Sequence, residues 1–128
     1  MSTSSQTPDY YNTVMPYLIL KDVAAFLDFT KQVFNATEQM KHVKEDGQIK
    51  HAEITIGDST IMVGEGTDEW KQQPAGLYIR VEDADAAYQK ALDAGASTVM
   101  ELSNQEYGRT SGVKDPSGNT WWITAPLS

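Results

Sequence analysis

Two stretches of the chain return to one helical face every three or four residues, and each begins at an aspartate. After Asp22, the side chains of Val23, Phe26, Leu27, Thr30, Val33 and Phe34 share one face, which predicts a helix over 23–34. After Asp83, Ala84, Ala87, Tyr88, Ala91 and Leu92 do the same, and Gly95 stands where a left-handed helix stop belongs. Asp22 and Asp83 suit the N-cap, where a short carboxylate accepts from the free N–H groups of the first turn. Around these helices the period shortens to two, predicting strands at 15–20, 36–44, 49–56, 60–63, 76–81, 97–102, 109–114 and 120–125. Pro16 confines the first of them to a sheet edge or to its opening residues.

The alternation also assigns faces. In the third strand Ala52, Ile54 and Ile56 share one face, and His51, Glu53 and Thr55 the other. In the last, Trp121 and Ile123 lie together, with Thr120, Trp122 and Thr124 opposite. The two closing strands are joined by Asp115-Pro116-Ser117-Gly118: Pro presets φ, Asp bonds the backbone ahead, and Gly accepts positive φ. The series then repeats with an offset of 61 (Asp83 against Asp22), matching Tyr17 to Tyr78, Leu18 to Ile79 and Leu20 to Val81. Each half reads β-α-β-β-β, about 14–65 and 75–126, making one α+β domain whose helix-free sheet faces are left to form a shared cleft. Residues 1–13 have no apolar period and read as a disordered tail. Residues 64–74 form an acidic loop whose one large aromatic, Trp70, is either a lid or a dimer contact.

Composition removes several functions. The net charge of −8 and pI near 4.5 argue against nucleic acid or an anionic membrane and are compatible with a cationic ligand. With no cysteine there is no disulfide, thiolate nucleophile or Cys-based zinc site. No apolar run reaches membrane-spanning length and no signal-peptide pattern opens the chain, so cytoplasm is the expected location. Gly64-Glu65-Gly66 lacks the length and the following helix of a phosphate loop.

The duplicated pattern, with His51-Ala52-Glu53-Ile54, Ile56-Gly57-Asp58-Ser59, Val81-Glu82-Asp83-Ala84-Asp85-Ala86, and Tyr107-Gly108-Arg109 running into Asp115-Pro116 and Trp121-Trp122, resembles the vicinal oxygen chelate superfamily. That superfamily holds glyoxalase I, bleomycin-resistance proteins and extradiol dioxygenases, and the likeness is to its PhnB-like branch. The resemblance implies paired βαβββ modules with curved mixed sheets enclosing a pocket, helices on the outside, and a homodimer formed side by side or by exchange of modules. It also implies four pocket-facing metal ligands in the metal-dependent members. Carried across, those positions are Met15, Glu53, Gly76 and Trp122, of which only Glu53 can bind a hard or borderline cation. The resemblance therefore predicts no metal here, and no cofactor.

His51 and Glu53, two apart on a strand and about 7 Å from one another, are candidates for an acid/base pair or a polar anchor, against a hydrogen-bonded pair satisfying itself. Tyr17, Tyr78 and Trp122 are candidates for an aromatic ligand lining, against rings that merely fill the cleft. Arg80 either clamps an anion or forms a buried ion pair with Glu53. Tyr107 and Arg109 are placed on a loop covering the cleft, and His42 is exposed beside lysines. Three functions remain open. One is binding or sequestration of a small organic molecule, of which a cationic aromatic would suit the charge and the rings. Another is a lyase, isomerase or dioxygenase using Glu53 and His51, with or without a divalent metal. The third is a structural or regulatory domain whose pocket is filled by Trp122.

Overall fold

The structure, a computed structural model, describes residues 7–127; residues 1–6 of the expected tail, and Ser128, lie outside the described residues. The first module runs β1 (Tyr17–Leu20), α1 (Val23–Phe34), β2 (Thr37–Val43), β3 (Ile49–Ile56) and β4 (Ser59–Glu65). The second runs β5 (Gly76–Arg80), α2 (Ala84–Asp93), β6 (Ser97–Gln105), β7 (Gly108–Lys114) and β8 (Thr120–Ala125). Each makes a mixed four-stranded sheet, ordered β1-β4-β3-β2 and β5-β8-β7-β6, with its first strand parallel to its last. The βαβββ repeat is therefore real, strand for strand.

Both helices start as the caps predict. Asp22 accepts from the Ala25 N–H and Asp83 from the Ala86 N–H, each at 3.0 Å. Asn35 ends α1 in the left-handed region (φ 58°), and Gly95 (φ 102°) follows α2. Helix α1 buries Phe26, Phe29, Val33 and Phe34, and its rings reach the other module: Phe26 and Phe34 lie 6.3 and 4.6 Å, centroid to centroid, from Trp121 of β8. The helix-covered faces of the two sheets thus share one core, and each sheet turns its other face away from it.

The β7–β8 turn carries a buried carboxylate. Asp115 Oδ1 accepts from the N–H groups of Ser117 and Asn119, both at 2.9 Å, while Oδ2 accepts from Asn119 Nδ2 at 3.1 Å and Trp121 Nε1 at 2.8 Å. Ser117 Oγ donates to the Asp22 carbonyl at 3.0 Å, joining this turn to the start of α1. Strand β6 extends to Gln105, so Ser103–Gln105 pair with β7 instead of forming the expected loop. No helix among the described residues is long and apolar enough to cross a membrane.

Candidate functional site

Strand register lines up one row of side chains across the open face of each sheet. In the first module Tyr17, Met62, Glu53 and Met40 stand side by side. In the second the row is Tyr78, Trp122, Gly112 and Met100. Position by position, Gly112 takes the place of Glu53, and Trp122 that of Met62.

Glu53 is 2% exposed although it lies on the helix-free face. Its cover comes from the segment before β1. Tyr10 O–H donates to Oε1 at 2.6 Å and Tyr11 O–H to Oε2 at 2.7 Å. His51 Nε2 also lies 2.8 Å from Oε2, and Tyr17 O–H lies 3.0 Å from His51 Nδ1. An ionised carboxylate only accepts, so Nε2 carries the ring proton and, in the neutral ring, Nδ1 accepts from Tyr17. Asn12 fastens the same segment to the β3–β4 hairpin: its Oδ1 accepts from the Thr60 N–H at 2.9 Å and its Nδ2 donates to the Asp58 carbonyl at 3.2 Å. Thr60 Oγ1 donates to the Tyr10 carbonyl.

Burial alone would push the Glu53 carboxyl up. The hydrogen bonds from His51, Tyr10 and Tyr11, with the charge on His51, outweigh it and hold the group below its usual value. The reciprocal effect falls on the phenols: the hydrogen bond to Glu53, then burial, pushes Tyr10 up to about 12, and Tyr11 is raised for the same reasons. Sequence reasoning placed Tyr10 and Tyr11 in the tail and missed them. Two adjacent tyrosines in a polar segment were the only signal.

In the second module the Trp122 ring lies over Gly112. A Cβ placed on Gly112 would meet its ring carbons Cζ3 and Cε3 at 2.5 and 2.7 Å, so the indole is seated on bare backbone. Trp122 is 37% exposed, Tyr78 beside it 59%, and Tyr17 on the other sheet 53%. Tyr17 stacks obliquely on His51 with centroids 5.4 Å apart. Among the described residues no hydrogen bond or ring contact joins the Tyr17–His51–Glu53 set to the Tyr78–Trp122 set. Tyr78 and Arg80 border an open groove of about 1070 Å³ with β5, α2 and the C-terminal end of α1 on one side and the β3–β4 turn with Asn12, Val14 and Pro16 on the other.

Two expectations need correction. Arg80 forms no ion pair with Glu53, because they stand on separate sheets and the carboxylate is already filled by Tyr10, Tyr11 and His51. Arg109 does not sit on a loop over the cleft. It lies in β7 opposite Ala125, which turns it to the helix side, where Nε and Nη2 grip Asp85 of α2 at 3.0 and 3.2 Å. That pairing lowers the Asp85 carboxyl. Tyr107 tops the β6–β7 turn, 63% exposed. His42 is exposed, as expected.

The positions that could hold the superfamily's metal do not fit one. Both Glu53 oxygens are engaged, Gly76 has no side chain, and Trp122 offers only an N–H donor and lies over Gly112. Among the described residues, no three His, Asp or Glu side chains stand close enough to bind a cation together.

Comparison with known proteins agrees with this architecture. An uncharacterized protein of Mycobacterium bovis is 31% identical over 124 residues, covering 88% of this chain and 82% of that one. The PhnB protein from Bacillus cereus, described as a putative 3-demethylubiquinone-9 3-methyltransferase, superposes with a TM-score of 0.73 at 17% identity, over 89% of this chain and 99% of that one. TnmS3, an antibiotic binding protein from Streptomyces sp. CB03234, superposes with a TM-score of 0.69 at 16% identity, over 91% and 99%. Residues 10–123 match the model of the Glyoxalase/Bleomycin resistance protein/Dioxygenase superfamily, and the chain belongs to that family.

Proposed function

We propose that this protein binds or sequesters a small, partly planar organic molecule on its open sheet faces, with the Tyr78–Trp122 row as the stacking platform. The observation that carries this is Trp122, its ring over Gly112 and left partly exposed beside Tyr78 on a face with no helix over it. A partly exposed indole beside an exposed phenol is a ready surface for a planar or cationic partner. The charge of −8 favours a cation. TnmS3, described as an antibiotic binding protein, has the same fold. We place the protein in the cytoplasm as a homodimer, in which the first module's open face on one chain meets the second module's open face on its partner and encloses the ligand.

The test is titration of bleomycin-type and other cationic aromatic compounds, followed by tryptophan fluorescence and calorimetry. The wild type should bind at least one below millimolar, and Trp122→Ala should lose that binding. No binding below millimolar across the panel overturns the proposal. Size-exclusion chromatography with light scattering tests the dimer.

One observation favours a second, enzymatic reading: the 2.8 Å contact between His51 and Glu53 on the same face. In that reading Glu53 is the general base of a lyase, isomerase or dioxygenase, and the tyrosines must leave it before it can take a proton. Any activity found must then vanish in Glu53→Gln.

A further inference from the structure

We propose that residues 8–12 form a strap that opens and closes over the Glu53–His51 pair independently of the rest of the fold, and so controls access to the open face of the first module. The two buried acids show the contrast. Asp115, 4% exposed, takes all its donors from residues 117–121 of its own turn and the strand after it. Glu53 takes two of its three from tyrosines 43 and 42 residues earlier in the chain.

The strap is held by a kind of contact that can be released whole. It adds no strand to the β1-β4-β3-β2 sheet, and none of its residues belongs to the hydrophobic core. Its anchors are side-chain hydrogen bonds, and all of them fall on one hairpin: Glu53 in β3, and Asp58 and Thr60 at the turn into β4. Between the strap and β1, Val14 is 83% exposed, and the chain is next held to the sheet at Pro16, whose carbonyl accepts from the Met62 N–H at 2.9 Å. Segments with few buried apolar contacts open at the low end of a protein's stability range, well before the core. Closed, the strap spends both Glu53 oxygens. Open, the carboxylate, His51 and Tyr17 face solvent together.

The test needs no ligand and stands apart from the binding proposal. Carboxylates are labelled under native conditions with a water-soluble carbodiimide and glycine ethyl ester, and each site is read by mass spectrometry, with Asp115 as the reference for a fixed buried acid. Glu53 should label at least about tenfold faster than Asp115. Replacing Tyr10 and Tyr11 together by Phe, which removes two hydrogen bonds to a charged group, should speed Glu53 by about a hundredfold and leave Asp115 unchanged. Because the chain has no cysteine of its own, Asn12→Cys with Asp58→Cys gives a single disulfide. Oxidised, that variant should slow Glu53 to the Asp115 rate, and reduction should restore it. Glu53 labelling no faster than Asp115 in the wild type, or at an unchanged rate in the double Phe variant, overturns the proposal.

Discussion

Replacing Asp115 by alanine should be among the most damaging single changes in this molecule outside the aromatic core. The carboxylate is 4% exposed and satisfies four donors: the N–H groups of Ser117 and Asn119, the Asn119 side-chain amide and the Trp121 indole N–H. Asn119 is 0% and Trp121 2% exposed, so water cannot readily take over from the lost oxygens. An orphaned buried donor costs about 1–3 kcal/mol, and the two backbone groups can recover part of theirs if the turn relaxes. The expected loss is about 3–5 kcal/mol, a large share of the roughly 5–15 kcal/mol that holds a domain of this size together. Urea unfolding followed by tryptophan fluorescence should show a lower midpoint at unchanged slope. Asp115→Asn is the sharper probe. Because Oδ1 and Oδ2 each receive donors, the new NH₂ faces an N–H whichever way the amide is turned. Loss of about 2–4 kcal/mol is expected from this near-isosteric change. An Asn variant as stable as wild type would show that the turn, and not its carboxylate, sets the geometry.

Gly112→Ala should displace the Trp122 indole, since the added methyl would lie 2.5 Å from Cζ3. A destabilisation of about 1–3 kcal/mol in urea melts and an altered near-ultraviolet circular dichroism spectrum are expected, and an unchanged spectrum would show the ring is not seated there. The folded Glu53 value is depressed from 4.5, so the stability it contributes is present above that pH and lost as pH falls through the lower folded value. The urea midpoints of wild type and Glu53→Gln should therefore converge as pH falls below 4.5, and a constant gap would refute the network. Tyr10 is shifted the other way, from 10.0 to about 12, so its contribution is present below 10 and fades as pH rises through 12; ultraviolet titration should lose its last-ionising phenol in Tyr10→Phe. Ser111 Oγ is fully buried in β7 without a hydrogen-bond partner among the described residues, so Ser111→Ala should leave stability unchanged or raise it by about 1 kcal/mol, and a clear loss would mean the hydroxyl has found one.

The elements were legible because each is specified by neighbours in sequence: a cap aspartate, a period of 3.6 or 2, a turn with Pro and Gly in their places. The face of Arg109 was legible too, but through register and not composition. Counting back from the Asp115–Gly118 turn pairs Lys114 with Thr120, Val113 with Trp121 and Arg109 with Ala125, which puts Arg109 on the core side of Trp121. Reading 103–108 as a loop hid that count. The Tyr10–Tyr11 pair could not be found this way, because its partner is more than 40 residues distant and nothing periodic in the segment announces a contact. The absent Arg80–Glu53 pair failed for a related reason. Both residues were assigned correctly to open faces, but alternation within a strand cannot say which open faces meet.

That distinction also explains why duplication did not yield a symmetric site. The two rows share backbone register, yet at matched positions one module has Glu53 and Met62 and the other Gly112 and Trp122. The Gly and the Trp depend on each other, since the ring occupies the space a side chain at 112 would need. Putting Glu at 112 would unseat the indole, while removing the Trp alone would leave exposed sheet backbone. A buried carboxylate needs donors, which the first module obtains from its own chain; a bare glycine needs a ring over it, which the second module supplies from the next strand. One half of the repeat thus holds a polar centre under cover and the other presents an open aromatic surface, which solvent reaches without any part of this chain moving.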